Sequence, residues 1–137
     1  MSDPQKTLVL IKPDAVRRGL IGEILRRYEA KGLCIEALEL RTVEGDFADR
    51  HYAEHVGKGW YPELRSFITS GPLVALVLSG ERAVEAVRAV NGATDGVAAT
   101  PGSIRGDLCA SKQHNVVHAS DSPESATREV ALWFPGV

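Results

Sequence analysis

Two continuous apolar runs constrain the fold of this chain more than any other feature of its sequence. Residues 7–11 (TLVLI) and residues 72–78 (PLVALVL) consist mostly of Val, Leu and Ile, without alternating polar side chains. Strands that are buried on both faces have this pattern, whereas strands with one solvated face alternate apolar and polar residues. We therefore predict that both runs are central strands of a sheet.

An amphipathic helix is predicted after the first strand. Within residues 19–31, Leu20, Ile24 and Tyr28 fall on one line, and charged side chains occupy the other face. Gly32 suits the position just beyond the helix C-terminus, where the backbone is commonly left-handed. The first strand is thus predicted to lead into a helix with one apolar face.

The middle of the chain continues this alternation. Residues 33–42 predict a strand whose apolar phase changes near Ala37, which indicates a bulge or a change of burial. Residues 45–64 predict two short helices separated by the Gly-Lys-Gly segment 57–59. After the second buried run, residues 81–91 predict another helix with valines on its inner face.

The last third of the chain begins with a predicted irregular segment, residues 93–107, and long loops in small domains are often functional. Residues 116–118 predict a short strand, and Ser122 with Pro123 suits the start of a final helix. The order β-α-β-(αα)-β-α-β-α predicts an α+β fold of the ferredoxin-like split β-α-β type. Its four-stranded antiparallel sheet would be covered by helices, in a single domain over residues 1–137.

Composition and charge are those of an ordinary globular protein. The chain has 137 residues, a net charge of −2 and 44% hydrophobic residues, which gives no electrostatic case for broad nucleic-acid or membrane binding. The start of the sequence is polar, and no apolar run approaches the ~20 residues of a membrane span. Isolated Cys34 and Cys109, each among apolar neighbours, predict buried thiols in a reducing compartment. We therefore expect a cytoplasmic protein.

The most suggestive single residue is His118, at the end of the last predicted strand and just before a Ser-Asp-Ser turn. An imidazole can act as a nucleophile, an acid or a base near neutral pH. Taken alone, however, a histidine at a strand end is more often a hydrogen-bonded structural residue. Other residues must decide between the two interpretations.

Several other side chains suit an anion with an attached planar ring. The candidates at strand ends, helix edges and loops are Lys12, Arg88, Thr94 and Arg105 for the anion, and Trp60 for the ring. Each also has a purely structural interpretation; for example, the aliphatic parts of lysine and arginine often lie along the edge of a core. Together with His118 they describe a site for a polyphosphate that carries a base, where histidine could accept a phosphoryl group. The loop lacks the GxxxxGK[ST] pattern, so it is not a P-loop.

Four spaced blocks resemble the nucleoside diphosphate kinase family, and the resemblance covers essentially the whole chain. Residues 115–122 (NVVHASDS) resemble its active-site motif, and residues 11–14 (IKPD), 70–72 (SGP) and 101–107 (PGSIRGD) resemble other blocks in the same order. The resemblance implies a phosphotransferase that passes the terminal phosphoryl group of a nucleoside triphosphate, chiefly ATP, to nucleoside diphosphates. The implied mechanism is ping-pong through a phosphohistidine, and the implied role is maintenance of NTP and dNTP pools.

The resemblance also implies a role for each matching residue. His118 is the implied nucleophile, attacking through Nδ1, and Glu129 with Ser120 would orient its ring. Tyr52 would lie close to His118 and Lys12, and Lys12 would also have a catalytic role by meeting the charge that develops in transfer. The implied nucleotide-binding residues are Lys12, His55, Trp60, Arg88, Thr94, Arg105 and Asn115. Mg²⁺ would be bound by the nucleotide phosphates, without a direct protein ligand.

The chain departs from the family pattern in three places. Trp60 replaces the usual phenylalanine, and the larger ring should still stack on a base. Asp95-Gly96 replaces Asn-Pro or Asp-Pro, and glycine predicts a looser loop there. The chain ends four residues after Trp133, whereas longer members use a C-terminal extension in subunit contacts. The resemblance implies a homo-oligomer, with a hexamer favoured over a tetramer.

Two other functions compete with this one. A non-catalytic nucleotide-binding module would keep Trp60 and the phosphate-binding residues but lack the nucleophile, and His118 in an intact motif argues against it. An RNA-binding ferredoxin-like domain would need basic and aromatic residues on its strand faces. The buried strands here are aliphatic and the net charge is negative, so we expect no nucleic acid as primary ligand.

Overall fold

The computed structural model describes residues 4–137, which form an antiparallel sheet of four strands with helices on both faces. The strands, which lie in the order β2-β3-β1-β4, are β1 (Gln5–Ile11), β2 (Cys34–Arg41), β3 (Leu73–Gly80) and β4 (Val117–Ala119). The helices are α1 (Pro13–Arg17), α2 (Ile21–Ala30), α3 (Gly45–His51), α4 (Tyr61–Ile68), α5 (Ala83–Asn91), α6 (Ile104–Leu108) and α7 (Pro123–Trp133). The predicted ferredoxin-like α+β fold is confirmed. Every helix in this part of the chain is too short or too polar to cross a membrane.

The two apolar runs form the central strands β3 and β1, as predicted. Successive side chains of a strand point to opposite faces of the sheet. Val9 and Ile11 therefore pack under α2 and α5, while Leu8 and Leu10 pack under α3, α4 and α7. All four side chains are fully buried. Because each such side chain contributes about 1.5–3 kcal/mol on burial, residues 8–11 of β1 and 73–78 of β3 are apolar on both faces.

The edge strand β2 carries the predicted irregularity. Its register with β3 shifts between Ile35 and Ala37, which confirms a bulge there. Beyond the bulge, the outward side chains Leu38 and Leu40 are exposed. Cys34 on the same strand is also exposed and Cys109 is only partly buried, so the prediction of two buried thiols was wrong. Cys34 is exposed because β2 lies at the edge of the sheet, and Cys109 lies just beyond the C-terminus of α6.

Two short helices occur where the sequence indicated none. Pro13 opens α1, where a missing backbone N–H costs nothing because the first helical N–H has no partner. Ser103 caps α6 by accepting a hydrogen bond from the Gly106 N–H at 3.0 Å. The last four residues of the segment predicted to be irregular therefore belong to a capped helix, which begins at Ile104.

Gly96 lies in the remaining irregular segment, and its predicted looseness was wrong. A β-carbon at this position would lie 2.1 Å from the carbonyl oxygen of Cys109. Gly96 is buried against that backbone. Glycine is therefore required by a close approach of two chain segments, and it marks tight packing rather than mobility.

We predict that Gly96→Ala lowers the free energy of unfolding by about 1–3 kcal/mol, because the added methyl group overlaps backbone that cannot move aside. Urea denaturation measures the change. Gly22→Ala is the matched control, since a β-carbon there meets nothing within 4 Å on α2. That control should raise stability by about 0.5–1 kcal/mol. A Gly96→Ala variant as stable as the parent would contradict the packing argument.

Candidate active site

A cavity of about 310 Å³ opens beside the end of β1, β4 and the start of α7. The structure brings ten of the eleven predicted site residues to its wall: Lys12, Tyr52, His55, Trp60, Arg88, Thr94, Arg105, Asn115, His118 and Glu129. Ser120 is fully buried behind this wall, where it contacts Glu129. Residues that are far apart in sequence thus converge on one cavity.

His118 is held by a carboxylate on the neighbouring helix. Its Nε2 lies 3.1 Å from Oε1 of Glu129, and the Ser120 hydroxyl donates to the same oxygen at 3.0 Å. Because a carboxylate accepts hydrogen bonds, this contact places the imidazole proton on Nε2. Nδ1 then keeps its lone pair, and no hydrogen-bond partner for it occurs in residues 4–137. The arrangement leaves Nδ1 available as a nucleophile.

Lys12 lies at the end of β1, where it joins the strand to the segment before β4. Its Nζ donates to Oδ1 of Asn115 at 2.7 Å, and the Asn115 amide donates to the Thr94 carbonyl at 3.3 Å. The Lys12 side chain is almost fully buried, with 7% exposure. Burial, with a contribution from the Arg105 cation, lowers the pKa of Lys12 to about 8, and Asp14 opposes the shift. A buried cation therefore faces the cavity that His118 also lines.

Val116 carries backbone strain directly before the strand of His118. Its φ is +64°, an outlier for a β-branched residue that costs about 1–3 kcal/mol. Two hydrogen bonds hold it: the Lys12 N–H donates to its carbonyl at 2.8 Å, and its N–H donates to Asp14 Oδ2 at 3.1 Å. These hydrogen bonds tie the strained residue to the Lys12–Asp14 segment at the end of β1.

Arg105 serves the backbone as well as the cavity. Its guanidinium donates to the carbonyl oxygens of Gly92, Asn115 and Val117 at 2.9, 3.2 and 2.6 Å. Arg88 differs, because it is exposed and pairs with Asp121 at 3.0 Å. Arg105 thus ties three segments of the site together, whereas Arg88 can move to a ligand.

Aromatic side chains form the opposite wall of the cavity. Trp60 follows the predicted glycine turn and is 51% exposed, with its ring centroid 5.1 Å from that of His55. Tyr52 lies deeper in the cavity, and its ring centroid is 6.3 Å from that of His118. Burial raises the pKa of Tyr52 far above its usual value, with the Glu129 carboxylate adding to the effect. Tyr52 therefore keeps its proton and can act as a hydrogen-bond donor.

His51 is a site residue that the sequence reasoning missed. It is buried at the end of α3, and its ring is nearly perpendicular to that of His118 at a centroid distance of 4.8 Å. Trp133 donates from Nε1 to Nδ1 of His51 at 3.0 Å. In the sequence, His51 is one histidine in a polar helix, and no local pattern separates it from a surface residue.

The charge of the cavity favours an anion. The cations Lys12, Arg88, Arg105 and Arg128 line it, against the carboxylates of Glu54, Asp121 and Glu129. A divalent cation bound through phosphate oxygens fits this wall, since Mg²⁺ in nucleotide sites takes few protein ligands. A ring nitrogen of His51, one of His118 and an oxygen of Glu129 also lie within 4.8 Å of one another. Zinc accepts such a set. One nitrogen of each ring already has a partner here, since Trp133 donates to Nδ1 of His51 and Glu129 accepts from Nε2 of His118.

Comparisons with known proteins agree on one family. The family described as "Nucleoside diphosphate kinase" matches residues 5–137. Among curated relatives, the nucleoside diphosphate kinase of Nocardioides sp. is 64% identical over 132 residues, 96% of this chain and 98% of the relative. The enzyme of Cutibacterium acnes is 62% identical over 135 residues, 98% of each.

Solved structures of the same family are similar in fold. A halophilic nucleoside diphosphate kinase from Halobacterium salinarum, in complex with CDP, has a TM-score of 0.93 and 44% identity, covering 97% of this chain and 88% of its own. A family protein from Babesia bovis has a TM-score of 0.92 and 43% identity, covering 95% and 88%.

We predict that Arg105 and Arg88 respond differently to removal. Arg105→Met loses its hydrogen bonds to three backbone carbonyls and should lower the free energy of unfolding by about 2–4 kcal/mol, besides weakening anion binding. Arg88→Met is the matched control, because it loses one exposed ion pair worth at most about 1 kcal/mol. Thermal denaturation of both variants measures the difference. Equal destabilisation would contradict the backbone role of Arg105.

Proposed function

The chain belongs to the nucleoside diphosphate kinase family, whose members transfer phosphoryl groups between nucleotides, and we propose that the transfer here passes through Nδ1 of His118. One observation carries this proposal. The Glu129 hydrogen bond to Nε2 leaves the Nδ1 lone pair of His118 beside a cavity lined with cations. An imidazole in this tautomer is a competent nucleophile toward phosphorus.

In the proposed first half-reaction, Nδ1 attacks the terminal phosphorus of a nucleoside triphosphate, chiefly ATP. The nitrogen–phosphorus bond forms while the bond to the bridging oxygen breaks, and the nucleoside diphosphate leaves with that electron pair. His118 keeps its proton on Nε2, and Glu129 balances the positive charge that the ring acquires. A second nucleoside diphosphate reverses these steps and leaves as a triphosphate, which maintains NTP and dNTP pools.

The remaining side chains are proposed to hold the nucleotide. Trp60 stacks on the base without reading its edges, which permits acceptance of different nucleotides. Lys12 and Asn115 bind ribose hydroxyls and phosphate, and Tyr52 lies beside the transferring group. The phosphates are bound by His55, Arg88, Thr94 and Arg105, which line the same cavity. Phosphoryl transfer depends chiefly on such positioning and charge neutralisation.

The proposed divalent cation is Mg²⁺, which neutralises phosphate charge when bound with the nucleotide. The protein would hold it through the nucleotide phosphates, and Asp121, which lines the cavity, would contact one of its waters. Asp121 is exposed at the cavity and its present partner is Arg88, which a phosphate can take over. The complex of the H. salinarum relative with CDP supports a nucleoside diphosphate as ligand.

We propose that residues 1–137 act as a single domain in a cytoplasmic homo-oligomer, with a hexamer favoured over a tetramer. The exposed side chains of Leu38 and Leu40 on β2 support association, since edge strands with apolar residues are usually covered. Size-exclusion chromatography with light scattering measures the assembly directly.

We predict that terminally radiolabelled ATP transfers its label to His118. The label should be acid-labile and alkali-stable, as a phosphorus–nitrogen bond requires, and His118→Ala should lower label and turnover by more than about 10³-fold. ATP binding by His118→Ala, measured by calorimetry, checks that the cavity is intact. Retention of label or turnover by this variant would exclude the mechanism. An unlabelled parent protein that binds ATP would instead indicate a non-catalytic nucleotide-binding module.

We predict that the alkaline limb of kcat/KM reports the titration of Lys12. The pKa of Lys12 is lowered to about 8, so the cation is present below this pH and is lost above it. Phosphate binding by the free enzyme should weaken accordingly, because kcat/KM follows groups of the free enzyme. Lys12→Arg keeps its charge at high pH, so its residual activity should lack this limb. An unchanged limb in Lys12→Arg would assign it to another group.

A further inference from the structure

His51 is a buried histidine of the site that the proposed mechanism does not use. It is 3% exposed, and its ring is inclined by 79° to the His118 ring at a centroid distance of 4.8 Å. The two rings therefore make a perpendicular aromatic contact, which is a favoured geometry. His51 lies on α3, whereas Glu129 holds the His118 ring from α7.

The hydrogen bonding of His51 fixes its own tautomer. The indole N–H of Trp133 is a donor and cannot accept, so Nδ1 of His51 must carry a lone pair. Burial, with a contribution from the Arg128 and Lys12 cations, lowers the pKa of His51 to about 2. His51 is therefore a neutral ring with its proton on Nε2, and it adds no charge beside the nucleophile.

The position of His51 is held from several sides. The Trp133 ring packs edge-on against Phe47 with a centroid distance of 4.6 Å. The Tyr52 ring packs against the His51 ring with a centroid distance of 4.5 Å. Arg128 donates from Nη2 to the His51 carbonyl at 2.7 Å. The surface that His51 presents to His118 is thus part of a packed aromatic cluster with a fixed backbone.

The ring of His118 needs such a surface, because rotation about its Cβ–Cγ bond has no sharp intrinsic preference. The hydrogen bond to Glu129 is a single contact at Nε2. Because hydrogen bonds tolerate departures of tens of degrees from linearity, this contact alone leaves the ring plane some freedom. Attack on phosphorus requires an aligned lone pair on Nδ1, and small misplacements of reacting groups can cost about 100-fold in rate. A flat neighbour perpendicular to the ring restricts the rotation that the hydrogen bond leaves open.

We propose that His51, oriented by Trp133, is a positioning residue that fixes the ring plane of His118 for phosphoryl transfer. The inference rests on the proposed function of His118 as the nucleophile. His51 acts through His118 and makes no bond to the nucleotide. Glu129 thus selects the tautomer of His118, whereas His51 restricts the rotation of its ring.

The principal test is His51→Asn, because the asparagine Oδ1 can still accept from Trp133 while the flat ring beside His118 is removed. We expect the rate of His118 phosphorylation by ATP in single-turnover rapid quench to fall about 10- to 100-fold. The ATP dissociation constant should stay within about twofold. Ile68→Val is the control, since it trims a buried side chain of the same layer and should lower the thermal midpoint without changing the phosphorylation rate.

A second variant tests the tautomer without removing the ring. In the parent protein, nitrogen NMR of labelled histidine should show the His51 proton on Nε2 between about pH 5 and 9. Trp133→Phe removes the donor, so the spectrum should show a mixture of tautomers and phosphorylation should slow by about 3- to 10-fold. This measurement remains informative if His51→Asn fails to fold.

The outcomes separate this inference from the proposed function. If the parent protein acquires phosphohistidine and His51→Asn reacts at the parent rate, positioning by His51 is wrong and the mechanism stands. A loss confined to ATP affinity, or a His51 proton found on Nδ1, also overturns the positioning role. If the parent acquires no phosphohistidine, the proposed function itself fails.

Discussion

The hydrogen bond from Nε2 of His118 to Glu129 is the interaction on which the site depends. It joins β4 to α7 and selects the tautomer that leaves Nδ1 available. Its geometry requires both elements to be in register, which the packing of α7 on β1 secures. Ser120 supports the same carboxylate oxygen and also accepts from the Leu8 N–H, so the central strand itself helps to orient the carboxylate.

Two features of this site are unfavourable for folding, and hydrogen bonds between several segments offset them. Lys12 is a buried cation and Val116 is a strained residue, and both are unfavourable taken alone. Hydrogen bonds from Arg105, and those between the Lys12–Asp14 and Asn115–Val117 segments, offset these costs. The same contacts that stabilise the strained backbone therefore align cations around the cavity. Stability and function are coupled here because they use the same atoms.

Much of the fold and the site could be predicted from the sequence, and the failures have local physical reasons. Continuous apolar runs identified β1 and β3 because period and hydrophobicity are properties of the chain itself. His51 was missed because its role depends on Trp133 and His118, which are 82 and 67 residues away. Gly96 was misjudged because the need for glycine arises from a distant backbone. Cys34 was misjudged because the order of strands decides which strand is at the edge.

By itself, the sequence determined the order of strands and helices, the family resemblance and the identity of the nucleophile candidate, because these depend on local pattern and short motifs. Tertiary structure alone decided which donors and acceptors meet. It assigned the imidazole tautomer of His118, bound the Arg105 guanidinium to backbone carbonyls and placed His51 against the ring of His118. Hydrogen bonds and aromatic contacts act over a few ångströms, and residues come within that range of each other only after the sheet and its helices have packed.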